Sequence, residues 1–315
     1  MTIFTLAPLR STALATALVA GLFGNLAVRA ADPITPAGMV QVVRDNFEFT
    51  EGPAYDPSSK TLYFSDIPAN KIYALNAKGE ISVFLDPSNH TNGIVSRRGG
   101  QHAGKLFACQ MDGQIVAYDP KTKQTEVLAA QHDGKRFNAP NDLVVDTAGG
   151  VYFTDPLFRA PEPLPQGIQA VYYRAADGSV SRVTGPIAAP NGVALSPDGK
   201  RLYLVPSMQA EMLVYSVTGP GKLGDEAVLC KLAQPEGKSG TGGDGMVVDV
   251  EGNLYITSQL GVQIFSPEGA ARGIVQTPQV PANVTFGDED GKTMYITART
   301  GLYKVRMPIA GLNPN

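Results

Sequence analysis

The chain of 315 residues is poor in cysteine and histidine and has no cluster of lysine and arginine. Each scarcity removes a class of protein. Two cysteines, Cys109 and Cys230, sit in apolar strand-like runs of different repeat units, so they are expected as buried free thiols with no catalytic role. A formal charge of -3 and a pI near 5.7, with no basic patch, give no means of neutralising a phosphate backbone, so nucleic acid is not an expected partner. Long stretches of period 3.6 are missing, which argues against a helical framework, and no segment after the first thirty residues is long and apolar enough to cross a bilayer.

The first thirty residues read as an export signal. Arg10 precedes an apolar run from Ser11 to Val28, and Val28-Arg29-Ala30 has the small-residue spacing of a cleavage site, which predicts a cut after Ala30 and a periplasmic or secreted protein with no membrane contact afterwards. The rival reading, a membrane anchor, is opposed by Gly21, Gly24 and Asn25 within the run. Residues 31–315 would ordinarily suggest two domains by length, but a closed all-β architecture uses that length as one, and 34 glycines with 24 prolines punctuate the chain as such an architecture requires.

What the sequence does contain is a repeat. An acidic or amide residue, usually followed by Gly or Asp, leads into a short apolar strand, a turn, and a strand rich in aromatic and β-branched residues. It occurs at Glu51, Asn92, Asn141, Asn191, Asp244 and, more weakly, Asn283, at intervals of 41, 49, 50, 53 and 39 residues. Six such units predict a six-bladed β-propeller with one four-stranded antiparallel sheet per blade. In the fourth unit the strands are legible as VALS, RLYLV, MLVYSV and AVLCKL. The sixth ends early at LYKVR, and the spare segment MVQVVRD, residues 39–45, is expected to supply its fourth strand and close the ring.

Alternating strand direction then sorts the loops. Entry loops and the loops between second and third strands share one face, whereas the turns DPSSK, DTAGG, SPDGK and DVEGN lie on the other. Asn-Gly and Asp-Gly alone would be read as hairpin turns. Here the hairpin turns are supplied elsewhere in each unit, so the six leading residues are expected around one mouth of the central axis. Two carboxylates and four amides gathered there, with no Lys or Arg among them, would repel unless something positive sits between them. Oxygen-only donors suit calcium or magnesium better than zinc, and a ring converging from several blades suits the larger Ca²⁺ best; the alternatives are Mg²⁺, Mn²⁺ and Zn²⁺.

The segments "EGPAYD", "KRFNAPNDLVVD", "FTDP", "APNGVALSPDG" and "GDGMVVD", in this order between Val40 and Arg306, resemble the family of senescence marker protein (regucalcin), gluconolactonase and luciferin-regenerating enzyme, and bacterial gluconolactonases above all. The resemblance implies a divalent metal held by Glu51, Asn191 and Asp244, with Asn141 as fourth ligand or substrate contact, and Asn92 lining the substrate site. It also implies an arginine two residues before Asn141, as in the animal members. Here that residue is Ala139, and Arg136 of the same loop is the candidate to stand in for it.

The remaining candidates follow from strand parity. His90 and His132 fall in loops on the metal face, either contacting substrate or simply solvated; His102 falls on the opposite face and has no role. The charges of "SRRGGQHAGK" are expected to be solvated turn residues. The proline-rich "PLFRAPEPLPQG" is expected to overhang the metal as a partial lid, with Phe158 and Arg159 touching substrate, or to be a stiff surface loop. The expected activity is hydrolysis of a sugar lactone, with the metal polarising the carbonyl and Asp244 acting as base or nucleophile. The alternatives are a calcium-dependent aryl-ester or organophosphate hydrolase of the paraoxonase kind, or a non-enzymatic propeller that binds a metal or a sugar.

Overall fold

Alternation of side chains along each strand is what turns this sequence into blades. In Arg201–Pro206, Leu202 and Leu204 enter the apolar layer shared with the preceding blade, while Tyr203 and Val205 enter the layer shared with the next. In Val151–Asp155, Tyr152 and Phe153 divide in the same way. A strand buried on both faces is mostly apolar, its buried polar residues such as Thr154 and Asp155 falling at the end near the site, and each fully buried aromatic contributes about 1.5–3 kcal/mol. One such layer lies between every adjacent pair of blades, and together these layers form the core.

A computed structural model describes residues 1, 2 and 32–312; the expected export signal and its cut after Ala30 lie outside the described residues. Six four-stranded antiparallel sheets form the ring. Their inner strands are Thr50–Asp56, Thr91–Ser96, Leu143–Val145, Pro190–Leu195, Met246–Val248 and Asn283–Gly287. Each inner strand touches the next around the axis, the last touching the first. Outer strands such as Ile81–Leu85 and Thr125–Ala129 are partly exposed. The ring closes as expected: Gln41–Arg44 pairs antiparallel with Gly301–Arg306, in the register Gln41 to Lys304 and Val42 to Tyr303. Cys109 and Cys230 are buried free thiols.

Two features depart from the expectations. "SRRGGQHAGK" is not a solvated turn. Arg97 and His102 are 7% and 9% exposed, and both pack on the Phe107 ring, which removes their apolar parts from water. The segment "HDGKRF" adds a small hairpin, Gln131–His132 paired with Lys135–Arg136, between the second and third blades. The Gln166 side chain ties this hairpin to the proline-rich loop, donating to the carbonyls of His132, Lys135 and Arg136 at 2.8–3.3 Å.

Candidate functional site

The leading residues are placed by backbone rules that repeat around the axis. The N–H of Gly93 donates to Asn141 O at 2.8 Å, that of Gly192 to Asp244 O at 2.9 Å, and that of Gly245 to Ala282 O at 2.8 Å, so three pairs of adjacent blades are stitched together beside their leading residues. Such contact leaves no room for a side chain: a Cβ on Gly192 would lie 2.6 Å from Asp244 O. Hydroxyls near the ends of second strands add clips, Ser65 to Asn92 O at 3.0 Å and Thr257 to the carbonyls of Gly245 and Ala282 at 3.0 and 2.8 Å. The Asp155 carboxylate of "FTDP" accepts the N–H groups of Asn138 and Ala139, both at 2.8 Å, which fixes the loop that delivers Asn141.

Glu51, Asn92, Asn141, Asn191 and Asp244 line one cavity of about 450 Å³ at the mouth of the axis, together with Phe158 and Arg159 of the proline-rich loop. Ser207 accepts the Asn191 amide at 3.0 Å and donates to Gly243 O at 2.9 Å, which turns the Asn191 amide nitrogen to the wall. Phe49, Ile67 and Met111 supply apolar wall, and Arg299 is a cation at the rim, its guanidinium 5.3 Å from the Phe49 ring centroid.

Burial pushes the Asp244 carboxyl up to about 7, against the pull of the Asn191 amide and the Arg299 guanidinium. Burial also raises Glu51 well above the ordinary carboxylate value, and the charges of Asp244 and Asp142 add to the rise. Glu51 is 3% exposed and Asp244 is half-buried beside it in the same recess, so ionising them together needs a compensating charge. Asn92 Oδ1 is buried and accepts no hydrogen bond among the described residues. No three His, Cys, Asp or Glu side chains among the described residues are grouped to hold a metal by themselves; what converges is two carboxylates with amide oxygens. That donor set fits a hard divalent cation.

Other expected residues lie elsewhere. Asn283 does not line the mouth cavity: its side chain fills the space over Gly245, where a Cβ would lie 2.2 Å from it, and its amide bonds the Glu51 and Asp142 carboxylates. It lines instead a narrow channel of about 120 Å³ further down the axis, with Asp142. Arg136 does not line the mouth either. Its guanidinium donates to Phe137 O and Asn138 O at 3.0 and 3.2 Å. His90 pairs with Asp112 at 3.1 Å and His132 packs on Tyr172, and neither lines the cavity. Ala139, where an arginine was implied, is buried against Ile67 and Met111, with Phe158 of the lid packed on the same cluster. Sequence reasoning missed Arg299, Ser207 and Asp142. Asp142 had a signal, since it occupies the place that glycine holds after four of the six leading residues. Burial pushes its carboxyl up to about 7, and the charge of Asp244 acts in the same direction.

Comparison with known proteins gives a consistent picture. The family model for the SMP-30/Gluconolactonase/LRE-like region matches residues 49–300. The gluconolactonase of Zymomonas mobilis is 32% identical over 293 residues, covering 86% of this chain and 82% of that protein. Regucalcin of Sus scrofa is 28% identical over 271 residues, 83% of this chain and 87% of that one. The structure of a Xanthomonas campestris gluconolactonase superposes with a TM-score of 0.78 at 29% identity, covering 88% of this chain and 94% of that one. A six-bladed ring with these motifs in this order, matched along most of its length, belongs to the SMP-30/gluconolactonase/LRE-like family.

Proposed function

We propose that this chain hydrolyses a sugar lactone at the mouth cavity, with a divalent cation, Ca²⁺ first, held by Glu51, Asn141, Asn191 and Asp244. The observation that carries the reading is the pairing of the buried Glu51 and half-buried Asp244 carboxylates with amides in one recess, on a chain whose relatives include gluconolactonases. When bound, the cation polarises the lactone carbonyl and offsets the charge that develops on its oxygen.

The chain's own residues do the rest. Phe49, Ile67, Met111 and Phe158 hold the ring and exclude water from its far side, while Asn92 and Arg159 stand where substrate hydroxyls would lie. Asp244 takes the proton of the attacking water as the new carbon–oxygen bond forms. The ring carbon–oxygen bond breaks as the same proton passes to the departing hydroxyl, so water is added across one bond and the product is a hydroxy acid. Arg299 pulls the Asp244 carboxyl toward its ionised, proton-accepting form. An alternative within this reading has Asp244 attack the carbonyl itself. Export to the periplasm or beyond is also proposed, on the apolar N-terminal run alone; a mature N-terminus at Ala31 by mass spectrometry supports it, and retention of Met1 opposes it.

The test is lactone hydrolysis, followed by proton release, with and without chelator. Chelation is expected to abolish turnover and lower Tm, and added Ca²⁺ to restore both, because a ligand that binds only the native state stabilises it. Full activity in a sample shown metal-free by elemental analysis would overturn the proposal.

A further inference from the structure

The face opposite the mouth carries a second cavity, of about 430 Å³, between the second and third blades. Its wall holds Arg97 and Arg174, with Gln101, Thr147 and one acid, Asp146. Arg174 ends the buried strand Ala170–Arg174 and is only 9% exposed, yet its side chain makes no hydrogen bond and no ion pair within 4 Å among the described residues, the exposed Asp177 carboxylate acting on it only at longer range, and its Nε is fully buried without a partner. A buried guanidinium left in that state is costly unless an acceptor reaches it. Asp146 does not fill that role: its two oxygens already accept the Gly150 N–H at 2.8 Å and the Tyr173 hydroxyl at 2.8 Å. Arg97 lies over the Phe107 ring at 5.7 Å, which fixes its guanidinium in the same wall.

We propose that this cavity binds a small hydroxylated oxoanion, the carboxylate of a sugar acid or the phosphate of a sugar phosphate. Asp146 is already bonded and Asp177 is exposed to solvent, so the buried Arg174 guanidinium is the group left to be met, and a guanidinium presents paired N–H donors matched to carboxylate or phosphate oxygens. The volume exceeds what a bare anion needs and falls in the range that takes a sugar-sized body. The Thr147 hydroxyl and the Gln101 amide stand in the same wall to meet its hydroxyls. Strand parity puts this site on the far face from the lactone, so it is a separate binding site and not a part of the hydrolytic one.

The experiment is calorimetric titration of the metal-loaded protein with gluconate and, separately, glucose 6-phosphate, at constant ionic strength, with glucose as the neutral control. At least one anion is expected to bind, glucose is not, and whichever binds more tightly identifies the source. Arg174→Gln is expected to weaken that binding roughly tenfold or more while leaving the kinetics of lactone hydrolysis unchanged. Should Arg174→Gln fold poorly, Gln101→Glu keeps the buried wall intact, adds a like charge at an exposed position and is expected to weaken binding as well. Binding of neither anion at about 10 mM, or binding that both variants leave unchanged, would overturn the proposal.

Discussion

Replacing Gly192 by alanine tests whether the stitching of blades sets the geometry of the site. The new Cβ would lie 2.6 Å from Asp244 O and 2.9 Å from Met246 N, where ordinary contact begins near 3.4 Å. Both neighbours are backbone, so the fourth and fifth blades must separate by about 0.8 Å, an overpacking that costs about 1–3 kcal/mol. For a domain of this size that lowers Tm by roughly 2–10 °C. The same displacement moves the carbonyl of Asp244, the residue proposed as the base. A misplacement near 1 Å costs about a hundredfold in rate, so kcat/KM is expected to fall by roughly 30- to 100-fold. The control is Gly199→Ala in the turn on the opposite face, where φ is +67° and nothing lies within 4 Å of the added Cβ. Its strain costs about 1–2 kcal/mol, a comparable loss of stability, and its kcat/KM is expected to stay within about twofold of the parent. Thermal melts and lactone kinetics at saturating cation, run on both variants, separate the two effects. Wild-type kcat/KM in Gly192→Ala, or an equal loss in Gly199→Ala, would refute the reasoning.

Two further outcomes follow from the site. Asp244→Asn keeps an oxygen donor and the shape but removes the proposed base, so turnover is expected to fall by about 10²- to 10⁴-fold while the proposed cation still binds, more weakly; near-normal turnover at saturating cation would place the base elsewhere. Phe158→Ala and Arg159→Ala are expected to change the ratio of kcat/KM between small and large lactones, whereas Ser58→Ala, in a turn capped by Asp56 on the far face, leaves that ratio unchanged; the reverse pattern in folded protein would mean that the faces are assigned wrongly.

The blades were legible because their determinants are local. Period-two strands, Gly and Asp turns and a recurring leading residue each occupy a few consecutive positions, so Tyr203 and Leu204 announce their opposite layers without reference to the rest of the chain. The closing strand was legible by subtraction, from a last unit one strand short. What escaped depends on neighbours remote in sequence. Arg299 reaches the mouth from the loop after the second strand of the last blade, and nothing near it in the chain marks it as facing Asp244. Arg97 looked like one of several turn charges; only the Phe107 ring, supplied by the next strand, shows why it is buried. Asn283 fits the repeat by residue type, but its side chain fills the space over Gly245 and bonds the Glu51 and Asp142 carboxylates instead of lining the cavity.

The closing strand also governs the order in which the molecule can become whole. Gln41 pairs with a strand containing Lys304, so the sixth sheet cannot form until nearly the entire chain has been made. Bringing those ends together costs roughly 5 kcal/mol of loop-closure entropy if the intervening chain is unstructured, and far less once five blades have already curved it into an arc. Blades built from consecutive strands are therefore expected to condense first and the seam last, as in other topologies where local contacts outpace distant ones. Before the seam closes, the arc ends in an unpaired strand edge at Gly301–Arg306, which is the stage at which a second, equally incomplete chain could add its own strand in place of Gln41–Arg44. The four residues from Gln41 to Arg44 thus act as the latch of the ring.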